Sequence, residues 1–129
     1  MIRKIHLLKE IDVKRNPAVQ ASRTEAIALL SSNCRRLLLQ PDDGDVRHML
    51  AFALAAATLT FGDSDSLLIT ALIKEATAHA EELAYRLEAP GYSSLYIAAT
   101  TARLHQTLTI LQLQLAAEIA GTDRQRAAA

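Results

Sequence analysis

The sequence predicts an all-α fold: an up-and-down four-helix bundle with a short N-terminal basic arm or extra helix. Three observations carry that expectation. Apolar residues recur at three- and four-residue spacing from residue 17 onward, and every Gly and Pro falls where that pattern breaks. No strand-like alternation interrupts the pattern after Asn16, and the breaks are only a few residues long, which favours antiparallel neighbours.

The helices read as about residues 18–40, 45–61, 64–89 and 93–120. Asn16-Pro17 supplies an N-cap and a first-turn proline for the first helix, and Ser22-Arg-Thr-Glu25 offers a capping box one turn later. Pro41 and Gly44 bracket Asp42, Asp43 and Asp45, ending that helix and placing acid at the positive end of the next dipole. Gly62 closes the second helix and Asp63-Ser-Asp65 opens the third. Pro90-Gly91 then breaks the chain before Ser93 or Ser94 caps the fourth, which is expected to end at Gly121. The expected organisation is an arm over 1–16, a bundle domain over 17–121 and a disordered C-terminal tail over 122–129. The helix lengths differ and no motif recurs at fixed spacing, which argues against a repeat solenoid.

The faces of the helices differ in kind. The first helix has one apolar side (Val19, Ala26, Ile27, Leu30, Cys34, Leu37, Leu38), with Arg23 expected to snorkel at its edge and Ser31-Ser-Asn33 to form a polar flank. The third is also one-sided: Ile69, Leu72, Ile73, Ala76, Ala80, Leu83 and Leu87 share a stripe, while Lys74, Glu75, Glu81, Glu82 and Arg86 face away. The second helix has no wet side. From Met49 to Phe61 its only polar groups are Thr58 and Thr60, which predicts cover from the arm or from another subunit. The fourth helix has two opposed apolar faces. Ile97, Leu104, Leu108, Leu111, Leu115 and Ile119 form a core stripe; Ala99, Ala102, Gln106, Ile110, Leu113, Ala117 and Ala120 form the second. Besides His105, Arg103 is the one charged side chain between Ile97 and Ala117.

Composition narrows the function classes. A chain of 129 residues, 50% hydrophobic, can bury a core without staples, and the lone Cys34 cannot form an intramolecular disulfide. Lys plus Arg equals Asp plus Glu at 14 each, so net charge steers toward neither nucleic acid nor an anionic membrane. The longest uncharged apolar stretch, Met49 to Phe61, is too short to span a bilayer, and residues 1–6 lack a signal peptide's apolar segment; a cytoplasmic protein is expected. His79 has Glu75 and Glu82 at helical spacing, but no other helix offers a second such pair, so an ion-pair network is expected rather than a metal centre. Phosphate-binding glycine loops, nucleophile elbows and Cys-x-x-Cys pairs are missing from the sequence, so neither an enzyme, nor a cofactor, nor a small-molecule substrate is expected.

Residues 1–15 carry five basic side chains (Arg3, Lys4, Lys9, Lys14, Arg15) against two acids, and form an amphipathic arm that reads as helix or strand. Ser22-Arg-Thr-Glu-Ala-Ile27 is similar to the helix start of ribbon-helix-helix repressors, although the three long helices that follow have no counterpart in that fold. The resemblance implies nucleic-acid binding through the arm as an alternative reading. The leading expectation is protein–protein interaction, with itself or another protein. Ala99, Ala102, Gln106, Ile110, Leu113 and Ala117 are the expected interface, because charge depletion with retained hydrogen-bonding groups marks interface cores.

Overall fold

The computed structural model describes residues 17–62, 64–89, 91 and 93–128, with backbone alone at 17, 19, 20 and 122–128. It is an up-and-down four-helix bundle made of α1 (Pro17–Leu39), α2 (Gly44–Thr60), α3 (Leu67–Glu88) and α4 (Ser94–Ala128). Helices adjacent in sequence pack together and α4 closes the ring on α1, whereas the backbones of the diagonal pairs α1–α3 and α2–α4 do not approach closely. The N-terminal half of α1 meets the C-terminus of α2, and Ser64 before α3 donates to Glu118 near the far end of α4. One end of the bundle therefore gathers the start of α1, the end of α2, the approach to α3 and the later turns of α4. The residues of the arm, 1–16, lie outside the described residues.

The caps follow from local chemistry. Asp43 accepts from the Asp45 amide at 2.9 Å, so one acid caps α2 and the next lies in its first turn. At the opposite end a side chain on Gly62 would place its Cβ 2.8 Å from the Thr58 carbonyl, too close for any other residue without a shift. α3 begins three residues later than the sequence suggests. Ser66, not Asp63-Ser-Asp65, is its cap, accepting from the Ile69 amide at 3.2 Å. Ser93 rather than Ser94 caps α4. Gly91 adopts φ +99°, a left-handed turn that only glycine takes without strain. Gly121 does not end α4: the helix continues to Ala128, because one mid-helix glycine costs about 1 kcal/mol and neither a proline nor a left-handed turn follows it.

Leu104, Leu108, Leu111 and Leu115 of α4 are wholly buried against Leu30 and Leu37 of α1, Leu50 and Leu54 of α2, and Ile69 and Leu83 of α3. The one-sided reading of α3 holds throughout: its stripe is buried or half-buried, and Glu82 pairs with Arg86 at 2.6 Å. Arg86 also lies over the Tyr96 ring at 5.2 Å, tying α3 to the start of α4. In α1 three expectations need correction. Leu38, placed in the stripe, is 52% exposed. Asn33, placed on a polar flank, is buried, donating to the Leu29 carbonyl while its Oδ1 has no partner among the described residues. Arg23, expected to snorkel, is only 1% exposed.

Arg23 is the largest polar group inside the bundle. Its Nε donates to the Thr60 carbonyl at 2.9 Å, satisfying one of the last orphan acceptors of α2, and its guanidinium lies 4.7 Å from the centroid of the Phe61 ring. This is a sequence-distant tie between the first turns of α1 and the last turn of α2. Replacement Arg23→Ala removes a buried charge-assisted hydrogen bond and opens a cavity. It is expected to lower unfolding stability by about 2–4 kcal/mol, read by urea denaturation. Gly91→Ala is expected to cost about 1–2 kcal/mol in the same assay through backbone strain alone.

Candidate interaction surface

Every helix of the ring has an outward flank, and those flanks differ in how much charge they carry. Along α3 the flank carries charge: Lys74, Glu75, Glu81 and Glu88 are exposed. His79 lies between Glu75 at 3.4 Å and Glu82 at 4.0 Å, the expected ion-pair network. The Arg86 guanidinium bonded to Glu82 holds that carboxyl below its ordinary range. Among the described residues no group of three or more His, Cys, Asp or Glu side chains has metal-binding geometry.

Along α4 the outward flank is nearly uncharged. Ala99, Ala102, Gln106, Ile110, Leu113 and Ala117, the six residues expected to form an interface, are all exposed and share one side of the helix. Leu113 is 66% exposed and Ile110 40%; Leu95 and Tyr96 extend the apolar surface toward the helix start. Arg103 lies along the same side with its Nε 3.5 Å from the Ala99 carbonyl. Thr100, Thr101 and Thr107 are buried at the margins of the inner stripe, and each donates to the carbonyl four residues earlier, so they add no unsatisfied polarity there. The two opposed apolar faces therefore separate cleanly: one lies in the core and one faces outward.

α2 also has an apolar outer side. The other three helices leave that side open, with Phe52 61% and Leu59 84% exposed beside Met49; the cover expected for it, from the arm or from another subunit, lies outside the described residues. Its position also excludes a shared surface with α4. The two helices occupy diagonal corners of the ring, so their outward flanks point away from each other and do not merge into one patch. α2 and α3 are splayed as well. Cavities of about 450, 250 and 520 Å³ follow their seam, bordered by Ala51, Ala55 and Thr58 on one side and Thr77, Ala80 and Glu81 on the other.

Cys34 is buried in the α1–α4 contact, its thiol 3.9 Å from the His105 carbonyl. Burial pushes the thiol up from its ordinary range, against weaker opposing effects from Gln112, Thr109 and Arg35. The basic residues proposed for nucleic-acid contact (Arg3, Lys4, Lys9, Lys14, Arg15) lie outside the described residues. Elsewhere Arg35 and Arg36 on α1 and Arg103 on α4 are exposed on different helices. No helix among the described residues is long and apolar enough to cross a membrane. Comparison with known protein families, curated proteins and solved structures finds no match to the chain.

Two outcomes follow from these positions. Cys34 is expected to resist a thiol reagent at neutral pH in the native protein and to react fully once denaturant is added; rapid native labelling would contradict its burial. At a dilution where the chain is monomeric, the exposed residues Ile110 and Leu113 are each expected to accept Glu with less than about 0.5 kcal/mol lost in unfolding stability, whereas Leu108→Ala in the inner stripe should lose about 2–5 kcal/mol.

Proposed function

We propose that this chain is a small helical-bundle interaction protein, working by binding protein through the outward flank of α4. An adaptor, an assembly factor, a chaperone or an inhibitor all act in this mode. The observation that carries the reading is the exposed, almost charge-free surface over Leu95, Ala99, Ala102, Gln106, Ile110 and Leu113 on a helix whose opposite side already fills the core. The middle of the α3 flank, with Lys74, Glu75 and Glu81 exposed, shows the charge that the α4 flank lacks. Fully burying a large apolar side chain is worth on the order of 1.5–3 kcal/mol, so covering Leu95 and Leu113, with a smaller gain at the half-covered Ile110, supplies a driving force for binding. Gln106 and Thr109 add hydrogen-bonding groups within that surface, as interface cores do.

The test is a photoreactive amino acid placed at Gln106 or at Leu113, with the same probe at Glu81 on α3 as control. Illumination in the native host is expected to give a discrete adduct from the two α4 positions and none from Glu81. Equal labelling at all three, or none from α4, contradicts the reading.

A further inference from the structure

We infer that the partner on the outward flank of α4 is a second copy of this chain, its α4 lying antiparallel to the first across a twofold axis between Gln106 and Thr109. The pairing rests on the reading of this flank as a protein-binding surface and specifies its occupant.

The argument begins with register. Starting at Leu95, outward positions follow alternating steps of four and three residues through Ala99, Ala102, Gln106, Thr109 and Leu113 to Ala116 and Ala120, and all are exposed. That is the spacing of a coiled-coil seam, here on the exposed side of α4, with Thr109 at its edge also reaching the Cys34 thiol of α1. Antiparallel pairing about the midpoint of this seam sets Leu95 against Ala120, Ala102 against Leu113, Ala99 against Ala116 and Gln106 against Thr109. Each large side chain then meets a small one, and the two polar residues meet each other. A parallel pair would stack Leu95 on Leu95 and Leu113 on Leu113 while opposing alanine to alanine in the layers between. The leucine layers would then hold apart helices that the alanine layers need close.

The polar layer is matched at the level of atoms. Thr109 donates its hydroxyl hydrogen to the His105 carbonyl and also reaches the Cys34 thiol of α1, so what it offers a partner is a remaining acceptor lone pair on its exposed side. The Gln106 amide, which makes no hydrogen bond among the described residues, supplies the donor. The twofold makes this contact twice. No like charges oppose across the seam, because none of its residues is charged.

The area suffices for association. The strip from Leu95 to Ala120 is about 39 Å long at the helical rise and on the order of 14 Å wide at the accessible surface, so a pair of copies buries about 1,100 Å². That clears the roughly 1,000 Å² expected of a specific interface without reaching the size of an obligate one. A reversible, concentration-dependent dimer follows.

Sedimentation of the full chain over a wide concentration range is expected to show mass rising from 14.0 kDa toward twice that value. Leu113→Glu, checked by circular dichroism for retained helix, should hold the chain at the monomer mass. Orientation is read in a Cys34→Ala background by mixing Ala99→Cys with Ala116→Cys under mild oxidation. Disulfides between the two variants, with few within either, support the antiparallel register; Ala99→Cys joining itself overturns it. A monomer at every concentration overturns self-pairing. If the photoreactive probe at Leu113 then captures a different chain, the wider reading of α4 survives; if it captures nothing, both fail.

Discussion

Each helix of this bundle brings its backbone close to two neighbours and meets the diagonal helix only through side chains in the shared core, and that constraint governs everything else in the structure. It supplies four inward stripes that meet at Leu104, Leu108, Leu111 and Leu115, wholly buried residues of α4 that touch the core of every other helix. It also leaves each helix an outward flank that no part of the ring covers. In α1 and α3 that flank carries charged residues along its middle, among them Glu25, Arg35, Lys74, Glu75 and Glu81, with exposed apolar side chains toward the helix ends. In α2 and α4 it is dressed with Leu, Phe, Ile and Ala, which water solvates poorly. The interaction reading is the consequence of that mismatch between position and chemistry.

The ring also separates the two apolar flanks. Because α2 and α4 sit at diagonal corners, Phe52 and Leu59 face away from Ile110 and Leu113, and one helix laid on the bundle cannot cover both. The flanks differ in form as well. The α4 flank is a continuous seam with small residues, two polar side chains at its middle and leucines toward both ends. The α2 flank borders a splayed seam with α3, where the cavities lie. A regular seam suits a regular helix as partner, and the open seam beside α2 has no such repeat.

Most of the fold was legible in the sequence, because a helix with one apolar side declares both its period and its buried face. The stripes of α3 and of the inner side of α4 were read residue by residue, as was the opposed outer side of α4. The misreadings share a cause. At 100° per residue Arg23 and Asn33 fall inside the arc centred on Leu30 and Leu37, and were turned outward only because they are polar. Arg23 is buried because the Thr60 carbonyl and the Phe61 ring receive it, a contact between segments far apart in sequence that periodicity cannot show. Leu38 errs the other way, an apolar residue past the edge of the arc in the last turn of α1. For α2 the apolar composition shows in Phe52, Leu59 and Met49 on its outer side, which the other three helices leave open. The diagonal placement of α2 and α4 follows from closure of the ring by α4 on α1, which no local pattern encodes.

The central claim is that the outward flank of α4 is covered by protein when the chain is at work. Hydroxyl-radical footprinting measures that cover directly, by comparing side-chain oxidation in the native host with oxidation of the dilute purified chain. Leu95, Ile110 and Leu113 should be protected in the host, while Leu67, exposed at the start of α3, should oxidise equally in both. Equal oxidation of the three α4 residues in host and dilute solution would contradict the account.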